Sequence, residues 1–377
     1  MKSRRTLLLG LLGAATLTPI LLTSSVKAMD NDRNSNAPTG SLYTASNATT
    51  GNSILAFDQL KNGQLRATGS TTTNGTGTGK GLGNQNGLTL SPDRRWLFAV
   101  NAGSNEISVF NFKDRQPQFV SKVSSGGIRP VSITIQGDRL YVLNAGSDNI
   151  VGFYLKEWGE LQAIPNSQRS LSGTGTAPAQ VRFSPDGEFL VVTEKATNVI
   201  SVFPIYKGKL GDRISNPSSA KTPFGFTFDK SGNLLVSEAA GGTPNGSSLS
   251  SYKLLDNGRL KAITPSAKTN QTAACWAVLS KNGKYVYVSN TGSGTLSGFK
   301  VKSDGSLASL TSNGQTGIIG AGSGPIDMAV SRNGEFLNSL NTGNGTISTF
   351  QISEGGALKS AFTQPSIPTS ANGLVAR

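Results

Sequence analysis

Histidine is absent from this sequence of 377 residues, and cysteine occurs once. Without histidine the chain lacks the commonest general base, the commonest metal ligand and every nucleophile that a histidine would activate. The single Cys275 excludes an internal disulfide, and we expect it to be an inert, small apolar residue at the start of a strand.

Charged residues are also scarce, at 15% of the chain. No lysine and arginine cluster with interleaved aromatic residues occurs, so nucleic-acid binding is not expected. The formal charge is +14, and four basic residues lie in the first 28 positions, which leaves +10 on the rest. A basic surface favours an anionic ligand or an acidic cell envelope, although dispersed solubilising charges are the simpler explanation.

Long apolar runs are missing except at the N-terminus, where residues 1–28 resemble a signal peptide. Basic residues at positions 2–5 precede an apolar stretch at 7–22, and Val26-Lys27-Ala28 offers a small-x-small cleavage site. An uncleaved anchor is the alternative, but the apolar stretch is short for a bilayer span. We therefore expect export by the Sec or twin-arginine route to the periplasm or the outside, with no stable membrane span after signal removal.

An Ile or Leu followed three residues later by an aromatic ring recurs about every fifty residues. The seven pairs are Ile54/Phe57, Ile107/Phe110, Ile150/Phe153, Ile200/Phe203, Leu249/Tyr252, Leu296/Phe299 and Ile347/Phe350. A repeat of this length that is made of short strands indicates a β-propeller. We predict an all-β, seven-bladed propeller of four-stranded antiparallel blades over residues 41–377, after a flexible leader at 29–40.

The first blade lacks an initial strand, and residues 370–376 at the C-terminus resemble the missing one. Pairing of this segment with the first blade would close the ring and hide two sheet edges. The Gly/Thr-rich residues 71–86 connect the first two blades, and we predict a flexible loop there. A phosphate-binding loop is the weaker alternative, because position 74 is Asn and neither Ser nor Thr follows Lys80.

Within each repeat the second strand ends in Asn or Glu, and these residues are expected to surround one mouth of the central channel. They are Asn47, Asn101, Asn144, Glu194, Glu238, Asn290 and Asn341. An Asn here can bond its own turn, but Asn101, Asn144 and Asn290 are also candidates for substrate binding. Glu194 and Glu238 occupy adjacent blades, so mutual repulsion would raise one pKa towards that of a general base. Pairing of each with a nearby cation, or the capping of a turn, is the alternative.

The innermost strands point alternate residues into the channel. Arg182 is the only charge in its layer, and it would either bind a substrate anion or hold Glu194. Gln180, Trp276 and Asp327 lie one layer above, at positions suited to substrate binding. Trp276 would form the floor of a sugar site or simply pack in the core.

The run Pro178-Ala179-Gln180-Val181-Arg182-Phe183-Ser184-Pro185-Asp186-Gly187, with its copies in the other blades, resembles the seven-bladed lactonase-type propeller family. That family includes proteins similar to 6-phosphogluconolactonase and to carboxymuconate cyclase. The resemblance implies a site of His, Arg and Glu at one mouth of the channel. Arg182 and Glu194 match the Arg and the Glu, whereas Gln180 stands where the histidine would be.

Three functions are open at this point. A lactonase, a carboxylic ester hydrolase, would use Glu194 or Glu238 as the base, and Arg182 with Gln180 or Asn144 would stabilise the oxyanion. A non-catalytic envelope propeller would bind a small anion, a glycan or a protein partner. A metal-assisted hydrolase would need Ca²⁺ or Mg²⁺ rather than zinc. We assign no metal site or cofactor, leave Ca²⁺ open, and expect a monomer whose ligand is a small lactone or an anion.

Overall fold

A closed ring of seven β-sheets makes up residues 37–377, the part of the chain that the computed structural model describes. The predicted seven-bladed propeller is confirmed. The first strand begins at Pro38, inside the predicted leader 29–40, while the predicted signal peptide lies outside the described residues. Over 37–377 the only helical element is a 3-10 turn at Ala240–Gly242, and no helix there is long and apolar enough to span a bilayer.

Each blade has an inner, a second, a third and an outer strand, in order from the channel outwards. These strands are Asn372–Ala376, Pro38–Ala45, Ser53–Leu60 and Leu65–Thr72 in blade 1; Leu88–Leu90, Leu97–Asn101, Glu106–Lys113 and Gln116–Ser124 in blade 2; Pro130–Gln136, Arg139–Asn144, Asn149–Leu155 and a split outer strand, Leu161–Ala163 with Arg169–Ser170, in blade 3; Pro178–Phe183, Phe189–Glu194, Val199–Tyr206 and the split Lys209–Leu210 with Ile214–Pro217 in blade 4; Pro223–Phe228, Leu234–Glu238, Ser248–Leu254 and Leu260–Lys268 in blade 5; Ala274–Leu279, Tyr285–Asn290, Thr295–Val301 and the split Leu307–Ser309 with Gly317–Ile318 in blade 6; and Pro325–Val330, Phe336–Asn341, Thr346–Ile352 and Leu358–Gln364 in blade 7.

The C-terminal strand closes the ring as predicted. It pairs antiparallel with Pro38–Ala45 and so supplies the inner strand of blade 1. The last residue takes part, because the Arg377 N–H donates to the Ser41 carbonyl at 2.8 Å and the Ser41 N–H donates back at 2.9 Å. The two ends of the propeller are thus held in one sheet, which leaves no unpaired edge at the junction.

The recurring aliphatic and aromatic pair explains how neighbouring blades adhere. Residues three apart in a strand point to opposite faces of the sheet. Accordingly Ile107 packs in the core shared with blade 3, whereas Phe110 packs in the core shared with blade 1. Leu249 and Tyr252 divide in the same way between the cores towards blades 6 and 4. Both faces of each blade are therefore buried, and each such side chain contributes about 1.5–3 kcal/mol.

A residue in the left-handed (αL) backbone conformation comes just before the inner strand in each of blades 2 to 7. The residues and their φ angles are Asn86 (63°), Arg129 (56°), Ala177 (48°), Thr222 (64°), Ala273 (56°) and Gly324 (57°). Only glycine adopts this conformation without steric cost. The turn of the chain into the channel thus carries local backbone strain in five of these six blades.

Replacement of Ala177 or Ala273 by glycine should relieve this strain. We expect Ala177→Gly and Ala273→Gly each to raise the free energy of unfolding by about 1 kcal/mol, the net of the αL penalty and the greater chain entropy of glycine. Thermal unfolding would measure the effect.

Gly324→Ala is the matched control. Its new Cβ would lie 3.1 Å from the Gly343 nitrogen at a φ of +57°, so the melting temperature should fall. A lower melting temperature for Ala177→Gly would contradict the assignment of strain.

Candidate functional site

Residues 82–87 form a plug across one end of the central channel. The Gln85 side-chain amide donates to the Ala277 carbonyl of blade 6 at 3.0 Å and accepts from the Ala277 N–H at 3.2 Å. The Gln85 backbone N–H donates to the Ala179 carbonyl of blade 4 at 3.0 Å. Asn84 exchanges amide hydrogen bonds with Asn372 of blade 1. The prediction of a flexible loop at 71–86 is therefore wrong for its C-terminal part. Buried amides make that part an ordered strut between blades.

Lys195 holds the plug from outside. Its Nζ donates to the Gly83 carbonyl and lies 4.5 Å from the centre of the Phe224 ring. Burial lowers the pKa of Lys195 to about 8, because the charged amine loses hydration in this position. The plug thus ends at a lysine for which the structure supplies a carbonyl and an aromatic face rather than a carboxylate.

Below the plug lies a channel cavity of about 280 Å³. Gln85 and Asn86 line it at the plug, and Phe228, Leu279 and Val330 line it at the far ends of the inner strands. Arg182, Thr227 and Asp327 also line it, and its remaining lining is apolar, formed by Leu88, Ala277, Val278, Met328 and Leu374. A guanidinium, a carboxyl group and two side-chain amides thus converge on one partly open cavity, and convergent polar groups are typical of ligand sites.

Arg182 enters this cavity without a carboxylate partner. Its Nη1 donates to the Thr227 hydroxyl at 3.3 Å, and none of the ion pairs within residues 37–377 involves it. Burial lowers its pKa below the ordinary value. The alternative in which Arg182 holds Glu194 is excluded, so its remaining donors are available to an anion.

Asp327 is the carboxyl group of the cavity. It is 4% exposed, and its Oδ1 accepts the Met328 N–H at 2.7 Å. Burial raises the pKa of Asp327 to about 8, since an ionised carboxylate is poorly solvated there. Near neutral pH the cavity therefore holds one cation and one largely protonated acid, an arrangement suited to an anionic ligand.

Glu194 and Glu238 lie outside this cavity, at the ends of the second strands. Glu194 accepts hydrogen bonds from Ser201 at 2.5 Å, from Thr197 at 3.1 Å and from Ser172. Both carboxylates are fully buried, and they share no hydrogen-bond partner. The structure does not bring them together in the channel, so their predicted role as general base stays a prediction.

Glu238 has a hydrogen-bond shell of the same kind. The donors to its oxygens are Ser218 at 3.0 Å, the Ala220 N–H at 3.0 Å, Ser248 at 2.6 Å, Ser250 at 2.8 Å and Tyr252 at 3.3 Å. All of these groups donate, so the Glu238 carboxylate serves only as an acceptor. Burial first, and then the charge of Glu238, raise the pKa of Tyr252, which remains a donor.

The asparagines at the same position show why two blades carry Glu. Asn101 donates from Nδ2 to Ser108 at 2.8 Å, and Ser108 donates to the Thr73 carbonyl at 2.6 Å. Asn290 makes the same chain through Ser297 to the Gly314 carbonyl. In blade 4 the neighbouring segment presents the Ser172 N–H and hydroxyl, which are donors, where blades 2 and 6 present a carbonyl. The residue at the end of the second strand must therefore be an acceptor, and Glu194 accepts from both groups. The exchange of Asn for Glu reverses the direction of a hydrogen-bond chain.

The other predicted binding residues divide between the plug and the core. Gln180 donates to Asn86 Oδ1 at 2.7 Å and accepts the Phe226 N–H at 2.6 Å, so it supports the plug. Trp276 packs 5.1 Å from Phe224, and its indole N–H has no partner among residues 37–377. Asn144 is buried within blade 3 and bonds Asn149. No group of three or more metal-binding acids or cysteines occurs within 37–377.

Sequence reasoning missed Asn84, Gln85 and Asn86. One signal was available, because three consecutive amide residues stand between glycines in a connection, 73–87, that is much longer than 125–129 or 269–273. A flexible loop does not need such a run. A segment that crosses a channel does need it, since buried backbone groups there must find partners.

The hydrogen bond from Ser201 to the Glu194 carboxylate should stabilise the fold more than the corresponding bonds of Ser108, which involve only neutral groups. Ser201→Ala removes a hydrogen bond to a carboxylate and should cost about 2 kcal/mol of unfolding free energy, whereas Ser108→Ala removes a neutral bond and should cost about 1 kcal/mol. Chemical unfolding of both variants tests this. Equal losses would show that the hydrogen bond to Glu194 is no stronger than a neutral one.

The raised pKa of Asp327 predicts a pH dependence of stability. The native protein binds this proton more tightly than the unfolded chain, so the contribution is fully present below about pH 4 and is lost as the pH rises through about 8. Asp327→Asn should therefore flatten the fall in melting temperature between pH 5 and pH 9. Asp304→Asn, at an exposed turn, is the control and should leave the slope unchanged.

The comparisons with known proteins agree with this architecture. The family described as "Lactonase, 7-bladed beta-propeller" matches residues 50–174, 155–243 and 245–372, and none of the curated proteins matches the chain. Similar solved structures include a candidate 6-phosphogluconolactonase from Bacteroides fragilis (19% identity over 90% of this chain and 98% of that one, TM-score 0.72) and the periplasmic gluconolactonase of Pseudomonas aeruginosa (18% identity, 89% and 98%, TM-score 0.68). At such identities the structures show the fold alone. On the match over most of its length, the chain belongs to the seven-bladed lactonase β-propeller family.

Proposed function

We propose that the protein binds a carboxylated lactone in the channel cavity and hydrolyses its ring ester. The observation that carries the proposal is the unpaired Arg182 in the same cavity as Asp327. A guanidinium with free donors binds a carboxylate through two parallel hydrogen bonds. Arg182 would thus hold the substrate by its charged substituent and place the lactone ring beside Asp327.

Asp327 would act as the general base once it is ionised. A carboxylate with a pKa of about 8 is a stronger base than an ordinary one, and it can take a proton from the attacking water. The Asn86 side-chain N–H₂ donates no hydrogen bond within residues 37–377, although its oxygen is engaged, and the residue lines the cavity. That amide would stabilise the oxyanion that forms when water adds to the carbonyl.

Export is part of the proposal. It is supported by the basic and apolar N-terminus and by the likeness to a periplasmic gluconolactonase. A phosphorylated intermediate is a cytosolic kind of substrate, so we favour a carboxylate over a phosphate as the anionic group. Arg182 would accept either chemistry.

A second function, anion binding without turnover, is favoured by the state of the cavity at neutral pH. Asp327 is then largely protonated, and the net positive charge of Arg182 attracts an anion without supplying a base. Binding that occurs at pH 7 while hydrolysis stays absent up to pH 9 would support this second function.

The test is a hydrolysis screen of residues 29–377 on sugar lactones and carboxylated lactones between pH 6 and pH 9. Turnover should rise through about pH 8 and should be lost in Asp327→Asn. Arg182→Met should raise KM on the order of 10–100-fold, the equivalent of one charge-assisted contact. The same change should leave the melting temperature equal or higher, because it removes a half-buried charge that has no carboxylate partner. Arg259→Met, on the exposed surface, is the control.

Two further experiments test the Glu194/Glu238 general base and the metal-assisted route. Glu194→Gln with Glu238→Gln should lower the melting temperature and preserve kcat/KM; loss of turnover in a folded double variant would return the general base to these residues. Added Ca²⁺ or a chelator should change nothing. Loss of activity in chelator would instead support the metal-assisted route.

A further inference from the structure

Three consecutive blades, 5 to 7, place a cation at the same position of the turn that follows the inner strand. Lys230, Lys281 and Arg332 each come two residues after Phe228, Leu279 and Val330, which line the channel cavity. Arg377 of blade 1 lies one position earlier, since its N–H donates to the Ser41 carbonyl as the Ser331 N–H donates to the Phe336 carbonyl, and its guanidinium lies 4.2 Å from the centre of the Phe112 ring. The corresponding residues of blades 2, 3 and 4 are Pro92, Gly137 and Pro185. The cations are thus confined to one side of the ring.

These side chains lie along the turns rather than extend away from them. A Cβ at Gly283 would stand 2.7 Å from Cε of Lys230, and a Cβ at Gly334 would stand 2.9 Å from Cδ of Lys281, so each lysine stem crosses the turn of the next blade. The absence of a side chain at these two glycines leaves room for the stems. The stems of these two lysines therefore pack against the turns of the next blades, while their ammonium groups remain exposed.

Arg94 of blade 2 continues the row. The Arg377 Nε donates to the Arg94 carbonyl at 3.1 Å. Burial lowers the pKa of Arg94, and the nearby charges of Arg332 and Arg377 lower it further. We call Lys230, Lys281, Arg332 and Arg94 the basic arc.

Nearby carboxylates do not neutralise the basic arc. None of the ion pairs within residues 37–377 involves an arc residue. Asp229 is 7% exposed and accepts from the Ser231 and Asn233 N–H groups of its own turn, and Asp93 faces Arg95. Of the exposed acids on these turns, Asp138, Asp186 and Glu188 belong to blades 3 and 4. Glu335 lies on the blade 7 turn, where it accepts from the Asn333 side-chain amide at 2.7 Å.

Because the plug closes one end of the channel, the cavity is approached from the other end, where the basic arc lies. Gln85 and its neighbours close the end of the channel where the inner strands begin. The cavity lining continues to the other end, beside the turns that carry the arc. A ligand that reaches Arg182 from the turn face passes the arc first.

We propose that this face binds an acidic oligosaccharide end-on, with a terminal unit that bears the carboxylate and the lactone ring in the channel cavity and the following uronate units along the basic arc. The inference rests on the same cavity as the proposed function and names the substrate class. Amide, hydroxyl and guanidinium groups in a space of about 280 Å³ suit one sugar-sized ring that bears a carboxylate. Regularly placed cations suit a chain with one carboxylate per unit.

The experiment is titration calorimetry of residues 29–377 with galacturonate oligomers of one to six units, at low salt and at high salt. Affinity should rise at least tenfold from the monomer to the tetramer and then level off, and high salt should remove most of this gain. The triple variant Lys230→Gln/Lys281→Gln/Arg332→Gln should lose the dependence on length. Arg182→Met should weaken all lengths by a similar factor.

The matched control is Lys253→Gln/Lys261→Gln/Lys359→Gln, which removes the same charge from exposed positions on third and outer strands. Affinity that is equal for all lengths, or an equal loss in both triple variants, would overturn the proposal, as would an absence of uronate binding. Polyphosphate that binds as tightly as the uronate hexamer would show a general polyanion surface and would also overturn it. A length dependence without lactone hydrolysis would refute the proposed function alone, whereas hydrolysis with no length dependence would refute only the end-on site.

Discussion

Burial of both faces of each blade is the constraint on which the remaining structure depends. A single four-stranded sheet of this size cannot bury enough apolar surface to be stable alone. The aliphatic residue and the aromatic residue of the third strand, three positions apart, pack against different neighbours, as Ile107 and Phe110 do. Each blade therefore needs two partners, and the requirement is met for all seven only when Asn372–Ala376 closes the ring.

Closure of the ring creates a central channel, and the plug supplies hydrogen-bond partners at one end of it. Polar backbone groups at the start of the inner strands would otherwise face an enclosed space with too few partners. The amides of Asn84, Gln85 and Asn86 supply those partners and connect blades that are not adjacent. The same residues leave a cavity that has polar groups at its base. Arg182 and Asp327 are held there by strands that neighbouring blades fix in position, which is the rigidity that a binding site requires.

Residues 194 and 238 are Glu where the other blades have Asn, and two different physical reasons can account for this change. The substitution stands out in the sequence, and chemistry is one reason for it. The hydrogen-bond chains supply another, since the segments beside these blades offer donors where other blades offer a carbonyl. The direction of a hydrogen bond depends on residues such as Ser172 and Ala220, which are far from the repeat position in sequence. No comparison of the repeats alone could reveal it.

Periodicity by itself determined the class of fold, the number of blades and the closing strand, because each follows from local patterns such as Ile200/Phe203 that recur at fixed spacing. It also picked out Arg182 and Asp327 as polar residues on inner strands, since alternation along a strand decides which residues face the channel. Only the tertiary structure decided that these two share a cavity while Glu194 and Glu238 do not, and that residues 82–87 cross the channel. Those outcomes depend on contacts between blades more than a hundred residues apart, as between Gln85 and Ala277, and local sequence contains no record of which distant partner a polar group will meet.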